Sequence, residues 1–129
     1  MVLDTSAIVA MLLGEPEAPQ FRECVEADPV RLVSAATVVE AGIVVETRLG
    51  EAGGRDLDLL LAVAECEIVP LDAEQAVAAR RAYRRYGKSR HPAGLNLGDC
   101  FSYALSTISR EPLLCKGDDF RRTDLRLVV

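Results

Sequence analysis

Short unbroken apolar runs alternate along the chain with longer stretches of helical period, and that alternation lays out the elements. Residues 1–3 (MVL) are an apolar run broken at once by Asp4-Thr5-Ser6, and residues 7–13 (AIVAMLL) follow as an apolar helix with Ser6 placed to cap it. The sequence therefore predicts strand, acid, helix. Gly14-Glu15-Pro16 is a turn, residues 17–27 a helix stopped by Asp28-Pro29, and residues 30–33 (VRLV) a second strand. Ser34 caps a long helix over residues 35–49, which Gly50 closes. Gly53-Gly54 open a helix over 55–64, residues 66–70 (CEIVP) are a third strand, and Asp72 caps a helix over 73–86 that ends at Gly87. After a polar loop, residues 88–96, Gly98-Asp99 start a helix over 100–109. Glu111-Pro112 is a turn, residues 113–115 a short strand, residues 116–120 a compact turn, and residues 126–129 a last edge strand. Strands alternating with helices imply an α/β sandwich built on a central parallel sheet.

A length of 129 residues fits one domain, residues 1–129, with a core that needs no disulfide or metal staple. Ala, Val and Leu dominate and aromatic residues make up only 5%, which suits helices on a parallel sheet better than a β-sandwich. The net charge of −5 argues against coating nucleic acid by bulk charge, while leaving room for a local basic patch. Cys24, Cys66, Cys100 and Cys115 are widely spaced in apolar surroundings, and no pair forms a CxxC, so they read as reduced core residues. The N-terminus lacks a basic leader and its apolar run breaks at Asp4, so neither a signal peptide nor a membrane span is expected; the expected compartment is the cytoplasm.

Placing the acids on these elements changes the picture. Asp4 ends the first strand, where open α/β sheets bind ligands, although a lone Asp there equally serves as a helix cap. Glu40 lies inside the helix after the second strand, flanked by Thr37, Val38, Val39, Ala41, Ile43 and Val44, a neighbourhood expected to be mostly buried. Asp99 begins the helix before the fourth strand, and Asp118-Asp119 follow that strand directly. In a parallel sheet these carboxylates converge on one rim, where they repel one another unless a divalent cation lies between them. All-oxygen ligation selects Mg2+ or Mn2+ over zinc, and such a site suits hydrolysis of a phosphodiester. Thr5, Ser6 and Asn96 stand near the acids as candidates to hold carboxylates or water in place, or simply as capping and loop residues.

Residues 80–91 (RRAYRRYGKSRH) hold six Lys or Arg, two Tyr and no acid. In an acidic chain this asymmetry points to phosphate contacts from Arg84, Lys88 and Arg90, with tyrosines available to stack on unpaired bases. The loop runs on into Asn96 and Asp99, which brings its cations near the acids. His91 is the sole histidine, so a His-based triad or zinc cluster lacks partners; loop exposure or a substrate contact is its expected part.

Four motifs in this order, MVLDTSAIVAML, SAATVVEAGIVVETRLG, YGKSRHPAGLNLGDCFSYAL and LLCKGDDFRRTDL, resemble the PIN-domain ribonucleases, and within them the VapC toxins of bacterial toxin–antitoxin pairs, a resemblance that spans essentially the whole chain. The resemblance implies a three-layer α/β/α domain with a central, mainly parallel sheet. It also implies Mg2+- or Mn2+-dependent endonucleolytic cleavage of RNA, with tRNA or rRNA as the kind of substrate. The core acids would be Asp4, Glu40, Asp99 and a fourth, with Asp4 and Asp99 as direct ligands; the Gly-x-Asp-Phe turn favours Asp119 as the fourth, with Asp118 the alternative. A cognate VapB-type antitoxin packing over the site, near Met11, Leu12 and Leu13, and a homodimer within the complex are further implications. A haloacid-dehalogenase phosphatase would need a second Asp where Ser6 stands, and neither a receiver's early acidic doublet nor a Walker or Rossmann glycine motif is present. A non-catalytic RNA-binding or regulatory module on the same fold remains the alternative, though it would have no use for four acids.

Overall fold

A computed structural model describes residues 1–129. Four short strands, β1 (Val2–Leu3), β2 (Leu32–Ser34), β3 (Glu67–Val69) and β4 (Leu113–Leu114), form one sheet in the order β3-β2-β1-β4, with every pair parallel. Helices α1 (Thr5–Leu13), α2 (Ala18–Ala27), α3 (Ala35–Leu49) and α4 (Glu51–Val63) lie between β1 and β3 in the chain; α5 (Ala73–Tyr86) and α6 (Leu97–Ser109) lie between β3 and β4. Side chains on successive strand residues point to opposite faces, and the core divides accordingly. Met1, Leu3 and Leu114 pack with α1 to α4, whereas Val2 and Leu113 pack with α5 and α6. The result is a three-layer α/β/α sandwich.

The strand order has a functional consequence. From β1 the chain steps outward on one side through β2 and β3, then returns to add β4 on the other side of β1. The crevice at the carboxyl ends of β1 and β4 is thus the topological switch point, the usual ligand site of open α/β sheets.

Four local expectations are corrected. Helix α1 begins at Thr5 and is capped by Asp4, not Ser6, because the Asp4 carboxylate accepts the Ser6 N–H at 3.0 Å. Helix α6 begins at Leu97, two residues before Asp99, behind a capping box in which Asn96 and Asp99 each accept the other's backbone N–H. Gly53 and Gly54 lie inside α4 instead of opening it. There α4 crosses α3 so closely that a Cβ on Gly53 would stand 2.6 Å from the Val45 carbonyl oxygen, which outweighs the usual cost of glycine in a helix. The last edge strand reduces to one parallel bridge, Leu113 to Leu127, held by Leu113 N–H to Arg126 O and Val128 N–H to Leu113 O, each 2.9 Å. All four cysteines are free, Cys100 and Cys115 being buried. No helix is long and apolar enough to cross a membrane.

The α3–α4 crossing yields a stability prediction. Gly53→Ala should lower the unfolding free energy by about 1–3 kcal/mol despite alanine's better helix propensity, because backbone must shift to admit the methyl group. Chemical denaturation of the two proteins would measure it, and an unchanged midpoint would mean that the crossing is looser than described.

Candidate active site

Each acid arrives on a different element. Asp4 is carried by the end of β1, where its N–H bonds to Leu114 O of β4 at 3.0 Å, and it is only 3% exposed. Its Oδ2 accepts the Ser6 N–H and the Ser6 hydroxyl, the latter at 2.6 Å, and its Oδ1 accepts the Ser102 hydroxyl of α6, also at 2.6 Å. The cap is real, yet it uses one carboxylate oxygen and leaves the other turned toward α6. The Ser6 oxygen in turn accepts the Lys116 N–H at 2.9 Å, tying the turn after β4 to the same carboxylate.

Glu40 sits on α3, half-buried, and its Oε1 accepts the Thr5 hydroxyl. A Cβ on Gly98 would collide with the Glu40 carboxylate, so the bare glycine at the start of α6 is what lets Glu40 lie against the turn that carries Asp99. The neighbourhood of Glu40 is less buried than its sequence suggested: Thr37 and Ala41 face inward, but Val39 and Ile43 are 62% and 61% exposed.

Asp99 reports the convergence. Its carboxyl is pushed up to about 6, first by burial and then by the charges of Asp4, Asp119 and Glu40, with the Asn96 N–H pulling in the opposite sense. All four acids therefore share one electrostatic environment. Asp118 does not join them; its side chain is 84% exposed and pairs with Arg121 at 3.4 Å. Asp119 opens the short 3-10 turn Asp119–Arg122, directed by the buried Phe120 that follows it.

The donor set is carboxylate oxygen with hydroxyls beside it, which fits a hard divalent cation. Burial, then the charge of Asp4, pushes the nearby Cys115 thiol up to about 12, so without a metal it stands protonated beside the acids. As the side chains stand, no three Asp, Glu, His or Cys residues close around a single point. The carboxylates of Asp4, Glu40 and Asp99 are instead turned onto Ser, Thr or backbone N–H donors, an arrangement that relieves their mutual repulsion.

The basic stretch divides. Arg84 and Arg90 line a groove of about 550 Å3 between α5 and α6, together with Arg80, Tyr83, Leu97 and Phe101, and the guanidinium of Arg90 lies 5.8 Å from the Tyr83 ring centre. Leu97 and Cys100, which bracket Asp99 in the sequence, belong to the same groove, whereas Asp99 itself and the other acids do not line it. Lys88 is exposed but does not line the groove. His91 is turned inward, with its Nδ1 accepting the Ala93 N–H at 3.0 Å and its ring set edge-on to Tyr86.

Comparison with known proteins agrees with this geometry. The family model of the PIN domain matches residues 1–125. Ribonuclease VapC30 of Mycobacterium tuberculosis is 58% identical over 129 residues, covering all of this chain and 98% of that protein. Among solved structures, Mycobacterium tuberculosis VapC20, described as a sarcin-ricin loop cleaving toxin, superposes with a TM-score of 0.81 at 15% identity, covering 98% of this chain and 97% of that one. A chain of a toxin–antitoxin complex from Klebsiella pneumoniae superposes with a TM-score of 0.68 at 21% identity, covering 92% of this chain and 88% of that one. The chain belongs to the PIN-domain family, among its VapC-type ribonuclease toxins.

The raised Asp99 carboxyl makes metal-free stability depend on pH. A carboxyl that binds its proton more tightly when folded costs stability as pH rises from about 4, the ordinary Asp value, through about 6. Asp99→Asn removes that cost while keeping an oxygen for the Asn96 N–H. Above pH 7, in chelator, the variant should be more stable than the parent by about 1–2 kcal/mol after allowing for solvent screening, and the gain should vanish near pH 4. Melting curves at several pH values check it; equal curves throughout would mean that the acids do not press on Asp99.

Proposed function

We propose that the chain is the toxin of a toxin–antitoxin pair and cleaves RNA as an Mg2+- or Mn2+-dependent endoribonuclease. The observation that carries the reading is the electrostatic coupling of Asp99 to Asp4, Glu40 and Asp119 at the switch point of the sheet. Asp4 and Asp99 would hold the cation, with Glu40 and Asp119 completing the set of oxygens. When bound, such a cation lowers the pKa of a water and offsets negative charge that develops on a phosphoryl oxygen. Thr5 fixes Glu40, and Ser6 fixes Asp4. Arg84 and Arg90 in the groove, and Lys88 at its approach, supply phosphate contacts that draw a polyanion to an otherwise acidic molecule. His91, held against Tyr86, serves the loop's shape and reaches RNA only through its exposed edge.

The antitoxin has a surface to meet on the other side of the molecule. Helices α1, α2 and α4 border an apolar groove of about 580 Å3 that includes Met11, Leu12, Val25, Leu59 and Val63, with Arg22 and Arg31 at its rim. Glu26 and Asp56 line it too, so its polar residues are balanced in charge, and an apolar segment would fit it. Leu13 lies outside the groove. A homodimer belongs to the same reading, with exposed Val39 and Ile43 one turn apart on α3 as apolar surface to cover. Cytoplasmic action follows from an RNA substrate.

Two outcomes test the proposal. Asp4→Asn should lower RNA cleavage by at least about 100-fold with the circular dichroism spectrum unchanged, because the Ser102 hydroxyl can reverse to accept from the new amide. Cleavage should require Mg2+ or Mn2+ and stop in chelator. Parent-like cleavage by the variant would remove Asp4 from the site, and RNA retention without cleavage under any cation would leave a binding module. Replacing Arg84, Lys88 and Arg90 together by Ala should reduce the slope of log affinity against log salt by about 2 for single-stranded RNA; an unchanged slope would take these residues out of the interface.

A further inference from the structure

We infer that Ser102, with Thr37 behind it, is a positioning residue that fixes the angle at which Asp4 presents its carboxylate to a divalent cation; this rests on the acid cluster being a cation site. The starting point is the division of labour between the two oxygens of Asp4. Oδ2 is bound entirely by its own helix turn, to the Ser6 N–H and hydroxyl. A helix cap needs nothing more. Oδ1 is held instead by a residue 98 positions away, the Ser102 hydroxyl, at 2.6 Å.

Ser102 is 0% exposed, so no water can take over if the hydroxyl is removed. The contact also crosses from α6 to the end of β1, which locks the rotation of the carboxylate that a one-sided cap would leave free. Its direction follows from proton counting. A serine hydroxyl has one proton, and the Asp4 carboxylate can only accept, so the proton of Ser102 lies toward Asp4. The Thr37 hydroxyl stands 3.5 Å from the Ser102 oxygen, a looser polar contact behind the short Ser102–Asp4 bond in which Thr37 is the group with a proton to give.

Register makes the arrangement specific to the site. Thr37 precedes Glu40 by three residues on α3, and Ser102 follows Asp99 by three on α6, so each hydroxyl lies on the same helix face as an acid. The two hydroxyls meet beneath the rim and join the elements that bring Asp4, Glu40 and Asp99 together. A helix movement that displaces one acid would therefore break a contact to another. In a buried setting, where hydrogen bonds are little screened, the Ser102–Asp4 bond holds orientation strongly. Hydroxyls that orient ligand carboxylates from outside typically change metal affinity or activity by about 10- to 100-fold when lost.

Two substitutions isolate the hydroxyls without opening space: Ser102→Ala removes one oxygen, and Thr37→Val replaces a hydroxyl by a methyl group of similar size. The parent, these variants and Thr37→Ser would be titrated with Mn2+ by calorimetry and assayed for kcat and KM on RNA. The expected result is a Mn2+ dissociation constant raised about 10- to 100-fold in Ser102→Ala. A smaller rise is expected in Thr37→Val and parent-like binding in Thr37→Ser, with kcat reduced in Ser102→Ala and KM for RNA kept. A Ser102→Ala protein that melts earlier but binds Mn2+ like the parent would show a structural hydroxyl and overturn the inference, with the cation site intact. A parent that binds no Mn2+ would instead overturn the cation reading, and the inference with it.

Discussion

Repulsion among carboxylates is the constraint on which the rest of this structure depends. Asp4, Glu40, Asp99 and Asp119 come from four separate elements and stand near enough for three of them to disturb the ionisation of the fourth. A fold that crowds like charges must answer the cost locally, and it does so with hydrogen-bond donors. Thr5 serves Glu40, Ser6 and Ser102 serve Asp4, and the Asn96 N–H serves Asp99. The starts of α1 and α6 add their unpaired N–H groups and the favourable ends of their dipoles. The switch between β1 and β4 supplies the place, and the polar residues around it make the place tolerable.

Charge is distributed over the surface with the same economy. The chain is acidic overall, but six cations within twelve residues are confined to the end of α5 and the loop that leads into α6. Arginines of this stretch line a groove of their own in which none of the four acids takes part. The apolar groove of α1, α2 and α4 is assembled from other helices, and its residues do not overlap those of the basic groove. One small sandwich thus carries a basic and an apolar groove on separate surfaces.

Much of this was legible in the sequence, because the period of apolar residues separates strands from helices and the acids fall at the joints between them. The order of elements and the parallel sheet follow from that pattern, as does the nomination of Asp4, Glu40 and Asp99. What escaped depends on contacts between elements distant in sequence. Gly53 reads as a helix opener until the crossing with α3 shows why no side chain fits there. Ser102 drew no reading from the sequence and Thr37 only one as a neighbour of Glu40; that each stands three residues from an acid is the one local hint of their contacts. Asp118 and Asp119 are both exposed, and what separates them is that the charge of Asp119 acts on Asp99 while Asp118 pairs with Arg121, a difference of placement that adjacent residues in a sequence do not show. The last strand shrank because residues 126–129 meet only one residue of β4 in register.

The position of β1 has a consequence for synthesis. This strand lies inside the sheet between β2 and β4, and the N–H of Asp4 is bonded to Leu114, about a hundred residues further on. A nascent chain that has left the ribosome as far as α5 can bury Met1 and Leu3 against the early helices, yet it lacks β4, the start of α6 and the turn that bears Asp119. Two of the four acids, Asp99 and Asp119, are still absent at that stage. The acid crevice is therefore the last part of the sandwich to close, after α6 and the turn following β4 have joined the sheet.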